Sequence, residues 1–271
     1  MNGKFTHYLV TRFNVSILHW DRDKAGMTTL DASWMEHRIS VFKTFCTPSI
    51  AGQTNTDFKW LIYCDPRTPA PFVESIKSSI ARIPHAELRF VSDFDALKTD
   101  LKQLISLGTT PYVITSRVDN DDALGKTFIK TVQEKFIEVD RTVINLCGGV
   151  LYDLPGKILT RLPDMRFNHF GSLIEKFNST GEYLTVMGYP HHQPPPGVKV
   201  IDVKTKFAWL KIIHERNLKS KTIGVPAFST NLAQHFTIEK NAMPFSHVNS
   251  IVYFFKRGRT ILKRKILPHD S

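Results

Sequence analysis

The 271-residue sequence has no long apolar run and few cysteines. No window reaches the roughly 18 apolar residues of a membrane-spanning helix, and the start, MNGKFTHYLV, lacks the apolar segment of a secretory signal. The three cysteines, Cys46, Cys64 and Cys147, are an odd number in apolar surroundings, which argues against a disulfide framework. We therefore expect a cytoplasmic protein whose cysteines are packing residues.

Two common ion-binding and phosphate-binding loops are also missing. The chain contains no glycine-rich loop of the P-loop type. The acidic stretch DNDDALGKTFIK, which starts at Asp119, has leucine at its sixth position and lysine at its twelfth. An EF-hand needs glycine and glutamate at those positions, so this stretch is not an EF-hand.

Acidic residues are scarce relative to basic ones, and the formal net charge is +11. Residues 256–265, KRGRTILKRK, hold six of the 36 basic residues and no acid. Such a bias is compatible with nucleic acid, with an anionic membrane, or simply with solubility.

The first 150 residues alternate between strand-like and helix-like segments. Apolar runs predict strands over residues 7–13, 58–65, 88–92, 112–119 and 142–147. Apolar residues at spacings of three and four predict helices over residues 31–46, 72–83, 97–105 and 128–136. We therefore predict an α/β fold whose parallel sheet carries helices on both faces, with ligands bound at the carboxyl ends of its strands.

The second half of the chain is less regular. Short strands are predicted at residues 149–153, 157–162, 182–190 and 198–202. We read residues 171–177 and 207–218 as amphipathic helices. The tail from Ser246 to Leu267 has apolar residues at spacings of three, four and seven with lysines and arginines between them, which predicts a further helix.

Three aspartates crowd the end of the fourth predicted strand. Asp119, Asp121 and Asp122 would repel one another if nothing positive lay nearby. Arg117 alone could offset them, with the aspartates forming only a capping turn. A bound Mg²⁺ or Mn²⁺ is the alternative, because both ions prefer oxygen ligands. In an extended chain Asp119 and Asp121 would face one ion from the same side, and such an ion favours a nucleoside diphosphate as its companion.

Five segments resemble, in order and spacing, a family of bacterial rhamnosyltransferases, a branch of the metal-dependent GT-A glycosyltransferases. They are TRFNV, RISVFKTFCTPSIAGQTNTDFKWLIYCDPRTP, SRVDNDDAL, GSLIEKF and AWLKIIHERNL. The resemblance spans residues 5–225. It implies a GT-A fold, which is a Rossmann-like nucleotide-binding sheet flanked by helices, a sugar nucleotide of the dTDP or UDP type, and Mn²⁺ or Mg²⁺ as cofactor.

The resemblance also implies roles for individual residues around the donor. Asp119 would contact the nucleotide ribose or the metal, Asp121 would bind the metal, and Asp122 would neighbour the acceptor or cap the turn. Arg12, Asp65 and Arg117 would help to hold the nucleotide, although Arg12 could be a surface cation and Asp65 could simply begin the turn at Pro66.

His214 would complete the metal site, since neutral imidazole binds Mn²⁺ well. The alternative is a histidine that packs beside the apolar face of its own segment.

Transfer of a sugar needs a base for the acceptor hydroxyl, and a carboxylate with a raised pKa can supply it. Glu175 in GSLIEKF is our candidate, with Asp153 and Asp164 as rivals and a solvated surface glutamate as the alternative. A base at this position implies inversion of the anomeric centre.

We expect a transferase domain over residues 1–225 and a helical, basic, amphipathic extension over residues 226–271. The acceptor implied by the resemblance is a bacterial surface polysaccharide or glycolipid, such as lipopolysaccharide. The tail would meet the inner face of the plasma membrane as a peripheral contact, or would pack on its own domain.

Two other functions fit parts of the sequence less well. A sugar-phosphate nucleotidyltransferase would have a glycine-rich loop after the first strand, and TRFNVSILHW contains no glycine. A nucleic-acid-binding module would interleave aromatic and basic residues, but the tail's aromatics precede its basic run, so we expect no nucleic acid partner.

Overall fold

The computed structural model describes residues 3–17, 30–217, 221–228, 232–239 and 241–266, with side chains up to residue 257. The helices are α1 (Ala32–Val41), α2 (Thr47–Ala51), α3 (Ala70–Ile80), α4 (Phe94–Ser106), α5 (Phe128–Glu134) and α6 (His247–Ile266). The strands are β1 (Phe5–Arg12), β2 (Lys59–Cys64), β3 (Ala86–Phe90), β4 (Tyr112–Arg117), β5 (Ala123–Leu124), β6 (Thr142–Leu146), β7 (Gly149–Asp153), β8 (Ile158–Leu162), β9 (Ser172–Lys176), β10 (Lys199–Val203), β11 (Trp209–Ile213) and β12 (Val225–Pro226).

A seven-stranded sheet in the order β10-β6-β9-β4-β1-β2-β3 forms the centre of the fold. Strands β1 to β4 are parallel to one another, as the alternating pattern predicts. Strand β9 lies between β4 and β6 and runs antiparallel to both. The predicted α/β sheet with flanking helices is therefore confirmed, but it is mixed rather than purely parallel.

A smaller, five-stranded sheet in the order β12-β8-β7-β11-β5 packs beside the first. Its central strands β7 and β11 are parallel, and the outer pairs are antiparallel. Strand β5 directly follows the acidic residues 119–122, so the second sheet holds one end of that segment.

Helix burial follows the predicted spacing. In α4, Leu97, Leu101 and Ile105 are buried four residues apart, and Asp93 begins the helix by accepting the Ala96 N–H at 2.8 Å. All three cysteines are buried and unpaired, as expected for packing residues.

Helices α1 and α2 are joined by a π-helical turn, Phe42–Cys46, whose extra residue per turn rotates the helix face. Such turns often occur at functional sites. Here α1 buries Met35 and Ile39 in the core and directs His37 and Arg38 towards residues 119–122 and 214.

Three predictions of secondary structure in the second half are wrong. Residues 171–177 and 207–218 contain strands β9 and β11 rather than helices, and residues 182–190 form no strand. Both misread segments are short, and every residue of β9 up to Glu175 is buried. A short apolar segment buried on both faces has no alternation, so periodicity cannot separate strand from helix there.

Parallel pairing brings the carboxyl ends of β1, β2 and β4 to one edge of the large sheet. Val10 is paired with Arg117, and Arg12 with Tyr63. The residues that follow these strands, including Asp65 and Asp119, therefore meet at the same edge, where α/β sheets bind ligands.

The predicted tail helix is confirmed as α6, which contacts β8 and β12. Within the described ranges of the chain, no helix is long and apolar enough to cross a bilayer. The domain boundary at residue 225 stays a prediction.

Candidate active site at the acidic turn

The residues after β4 form a tight turn rather than an extended chain. The Asp122 N–H donates to the Asp119 carbonyl at 3.2 Å, and buried Asn120 donates to the Phe13 carbonyl at 2.9 Å. This turn directs Asp121 and Asp122 to different partners. The extended geometry that we expected for Asp119 and Asp121 is therefore wrong.

Asp121 is buried among three donors that converge on its Oδ2 atom. Arg38 Nη1 lies 2.5 Å away, His214 Nε2 2.9 Å and Asn217 Nδ2 3.1 Å. Burial raises the pKa of Asp121, but the charge of Arg38 and the hydrogen bond from His214 outweigh it and hold this pKa well below its usual range. Asp121 is therefore an anion whose charge is already paired.

His214 links Asp121 to helix α1. Because a carboxylate only accepts, His214 Nε2 carries a proton, and its Nδ1, which accepts the Arg216 N–H at 3.3 Å, lies 3.1 Å from His37 Nε2. The side chain of Asn217 accepts the backbone N–H of His214 at 2.6 Å. The structure thus brings together the predicted metal ligands Asp121 and His214, although Arg38 shares their site.

Asp122 forms a second aspartate–histidine pair. Its Oδ1 accepts the Ile212 N–H from β11, and its Oδ2 accepts from His169 Nε2, both at 2.8 Å. The ammonium of Lys211 lies 3.3 Å from His169 Nε2 and 4.0 Å from Asp122 Oδ2. This pair is as buried as the first one.

Asp119 lies beside the Asp122–His169 pair. One ligand atom from each of Asp119, Asp122 and His169 falls within 4.8 Å of the other two. Two carboxylates and an imidazole suit Mn²⁺, and also Mg²⁺ with waters completing its octahedron. Burial alone would raise the pKa of Asp119, but the charges of nearby His169 and Arg117 outweigh burial and lower this pKa overall. The carboxyl is therefore ionised and able to bind a cation.

Arg12, Arg117 and Asp65 lie around the same edge. Arg12 Nη1 donates to the Val15 carbonyl at 2.8 Å, and burial lowers its pKa while the charge of Asp119 counteracts this. Arg117 Nε donates to the His169 carbonyl at 2.8 Å. These two guanidiniums therefore lie close to the carboxylates.

Asp65 is buried and belongs to a local turn. It accepts the Arg67 backbone N–H at 2.8 Å and its guanidinium at 2.7 Å, and these bonds lower its pKa. Its contacts are therefore those of a residue that begins the turn at Pro66, which was the alternative to a role in holding the nucleotide.

A narrow cleft with a free volume of about 10 Å³, room for about one water molecule, lies next to Arg117. Its walls include Asn145, Phe167, Tyr189 and His191. Phe167 has a φ of 54°, a left-handed conformation that costs energy for a side chain of this size. Burial lowers the pKa of His191 to about 4, so this imidazole is neutral.

The structure does not bring Glu175 to the acidic turn. Glu175 is paired with Val113, four residues before the end of β4, or about 13 Å along the strand. Its carboxylate accepts the N–H groups of Leu184 and Thr185 at 2.7 and 2.9 Å. Burial raises its pKa, and these bonds oppose the rise. Glu175 thus braces the loop that leads to Tyr189 and His191.

Sequence reasoning missed Arg38, His169, Lys211 and Asn217. Arg38 looks like a surface cation on a helix, and His169 lies in the irregular stretch RFNHFGS, 47 residues from its partner Asp122. Nothing local marks either residue. The only available signal was the need to offset three neighbouring carboxylates.

Comparison with solved structures finds chains of TarS from S. aureus. The structure of TarS 1–349 is 12% identical with a TM-score of 0.40, and covers 77% of this chain and 60% of its own. The same part of TarS in complex with UDP is 12% identical with a TM-score of 0.43, and covers 78% and 60%. The chain thus spans about 60% of these TarS structures, and no curated protein matches it.

Comparison with family models finds a match over residues 7–226, to the family described as "Putative rhamnosyl transferase". The match covers both sheets and the acidic turn. The chain belongs to this family of glycosyltransferases.

Proposed function

We propose that this protein transfers a sugar, rhamnose or a related hexose, from a nucleoside diphosphate to a hydroxyl group of a bacterial surface polysaccharide or glycolipid. The observation that carries the proposal is the family match together with the acidic turn at the carboxyl ends of β1, β2 and β4. Ligands of open α/β sheets bind at that edge. The arrangement is compatible with a GT-A transferase that works on the cytoplasmic side of the membrane.

A divalent cation would be held at the acidic turn. The donor set that we favour is Asp119, Asp122 and His169, because one ligand atom from each lies within 4.8 Å of the other two. Binding would need the ligating His169 nitrogen without its proton, so a cation on Nε2 would replace the hydrogen bond to Asp122. When bound, Mn²⁺ or Mg²⁺ would supply Lewis acidity towards the departing diphosphate. The set predicted from the sequence, Asp119, Asp121 and His214, is the alternative, and it would require the cation to share Asp121 with Arg38.

Basic side chains around the turn would bind the diphosphate. Lys211 lies against the Asp122–His169 pair, Arg117 is the last residue of β4, and Arg12 is the last residue of β1. Positive groups fixed in advance stabilise the negative charge that builds up on a leaving diphosphate. The diphosphate of a dTDP or UDP sugar therefore suits the positive charge of these side chains. Arg12 and Asp65 would lie towards its nucleoside.

The surface around Arg117, where only a narrow cleft is open, is our proposed place for the acceptor sugar. Phe167 and Tyr189 offer aromatic surface, and Asn145 and His191 offer hydrogen-bonding groups. Asp122 neighbours this region through His169, which fits its predicted place near the acceptor. Glu175 stays a prediction as base, because its carboxylate is held by backbone N–H groups far down β4.

Release of nucleoside diphosphate from a panel of dTDP and UDP sugars, with Mn²⁺ and with EDTA, tests this function. We expect one activated sugar to give metal-dependent release that Asp119→Asn abolishes. The variant Asp95→Asn, an exposed aspartate on α4, should leave release unchanged. Release that EDTA and Asp119→Asn both leave intact would contradict the proposal.

A further inference from the structure

Helix α6 carries an apolar face that no other described part of the chain covers. Its members lie at spacings of three, four and seven: Val248, Ile251, Val252 and Phe255. Their exposed fractions are 70%, 46%, 45% and 63%, and neighbouring Phe254 is 51% exposed. Single exposed apolar residues are ordinary, but a contiguous set on one helix face marks an interaction surface.

The opposite side of α6 is fixed to the protein. Asn249 donates to the Gly156 carbonyl at 2.8 Å, Ser250 is fully buried, and Tyr253 donates to the Thr222 carbonyl at 3.3 Å. At 100° per residue, these three lie across the helix from Val248, Ile251 and Phe255. The helix is therefore held in one orientation, with its apolar face turned outwards.

The charge of the tail identifies what covers this face. Residues 256–265 continue α6 with six basic residues and no acid. A second copy of the chain would bring the same positive charge alongside, which opposes pairing. An anionic lipid surface offers apolar chains and negative headgroups together, the two partners that such a helix lacks.

The position of α6 relates this surface to the candidate site. The helix starts at the turn between β7 and β8, where the Ser246 N–H donates to the Lys157 carbonyl. Strand β7 ends beside β11, with Asp153 paired to Ile213, the residue before His214. The start of α6 and the acidic turn's partner His214 therefore lie at the same edge of the small sheet.

We propose that α6 is an interfacial helix that seats this protein on an anionic membrane through Val248, Ile251, Val252 and Phe255, with the basic residues of 256–265 against lipid headgroups. The protein then lies on the bilayer without crossing it. This orientation brings the edge that carries His214 close to acceptors anchored in the same leaflet, which extends the proposed function.

Flotation with phosphatidylcholine vesicles, with and without phosphatidylglycerol, tests the proposal on the full-length chain. We expect binding only with phosphatidylglycerol, weakened by salt. The double variant Ile251→Asp/Phe255→Asp should lose this binding while keeping its thermal unfolding. The variant Leu107→Asp, a residue 81% exposed at the end of α4, is the matched control and should bind like the wild type.

Neutralising Lys263, Arg264 and Lys265 to glutamine should weaken vesicle binding roughly fivefold per residue removed. Any of four outcomes overturns the proposal. The first three are no wild-type binding to anionic vesicles, unchanged binding of the double variant, and a wild-type dimer that the double variant dissociates. Oligonucleotide binding that the double variant abolishes in place of vesicle binding also overturns it. The assay contains no sugar donor, so its failure does not bear on sugar transfer itself.

Discussion

Replacing Arg38 with methionine removes the cation that pairs with Asp121 while keeping much of the side-chain volume. The two side chains are 14% and 9% exposed and lie 2.5 Å apart. Removing one partner of a buried ion pair costs about 3 to 5 kcal/mol. Asp121 keeps its bonds from His214 and Asn217, so we expect the lower end, about 3 kcal/mol. For a chain of this size that corresponds to a fall in Tm of roughly 6 to 12 °C.

The loss should depend on pH in one direction. Asp121 has a lowered pKa in the folded protein, so its stabilising contribution is present above the unfolded value and is lost as pH falls through the folded value. The unfolded value is about 3.9. Removing Arg38 raises the pKa of Asp121 towards the unfolded value, so Arg38→Met should lose less stability than the wild type as pH falls below about 4, and the gap between them should shrink there.

Thermal unfolding followed by circular dichroism measures both effects, with Arg82→Met, an exposed arginine, as the matched control. A Tm for Arg38→Met equal to that of Arg82→Met would refute the reasoning. Mn²⁺ gives a second readout on the same samples. If the cation binds Asp119, Asp122 and His169, Mn²⁺ should raise the Tm of wild type and Arg38→Met equally. A larger rise in Arg38→Met would place the cation on Asp121.

Two further variants test the packing and the loop brace. In Gly149→Ala the added Cβ would lie 2.2 Å from a ring carbon of the buried Trp209, so the free energy of unfolding should fall by about 1 to 3 kcal/mol. Gly3→Ala, which meets open space, should not change it. Glu175→Gln sets an amide against two N–H donors and should cost about 1 to 3 kcal/mol. If Glu175 only braces the loop, Glu175→Gln should leave the pH profile of sugar transfer unchanged. If the variant instead removes the fall in activity at low pH, Glu175 is the base.

The sequence predicted the first half of the fold well because those elements are long and regular. Helix α4 shows its period in Leu97, Leu101 and Ile105, and β4 opens with the apolar run Tyr112, Val113 and Ile114 and leads into the acidic turn. Strands β9 and β11 were misread because five residues, four of them buried in each strand, are too few to distinguish a period of 2 from one of 3.6. The insertion of β9 between β4 and β6 depends on packing that no local pattern shows.

The candidate site was predicted in location rather than in detail. The carboxylates at residues 119–122 were found because like charges crowded together need a partner. The partners themselves come from α1, from the stretch before β9, and from β11 and the residues just after it, at separations of 47 to 96 residues. His214 came from the family resemblance, and its contact with Asp121 depends on the turn, which an extended reading of the segment could not supply.

We propose that the acidic turn binds one divalent cation that carries a nucleoside diphosphate. Calorimetric titration of Mn²⁺ in the presence of UDP or dTDP measures this directly. We expect one ion per chain, with affinity lowered at least ~10-fold by Asp119→Asn and by Asp122→Asn, and unchanged by Asp95→Asn. Absence of Mn²⁺ binding to the wild type with either nucleotide, or full affinity in Asp119→Asn, would contradict the account.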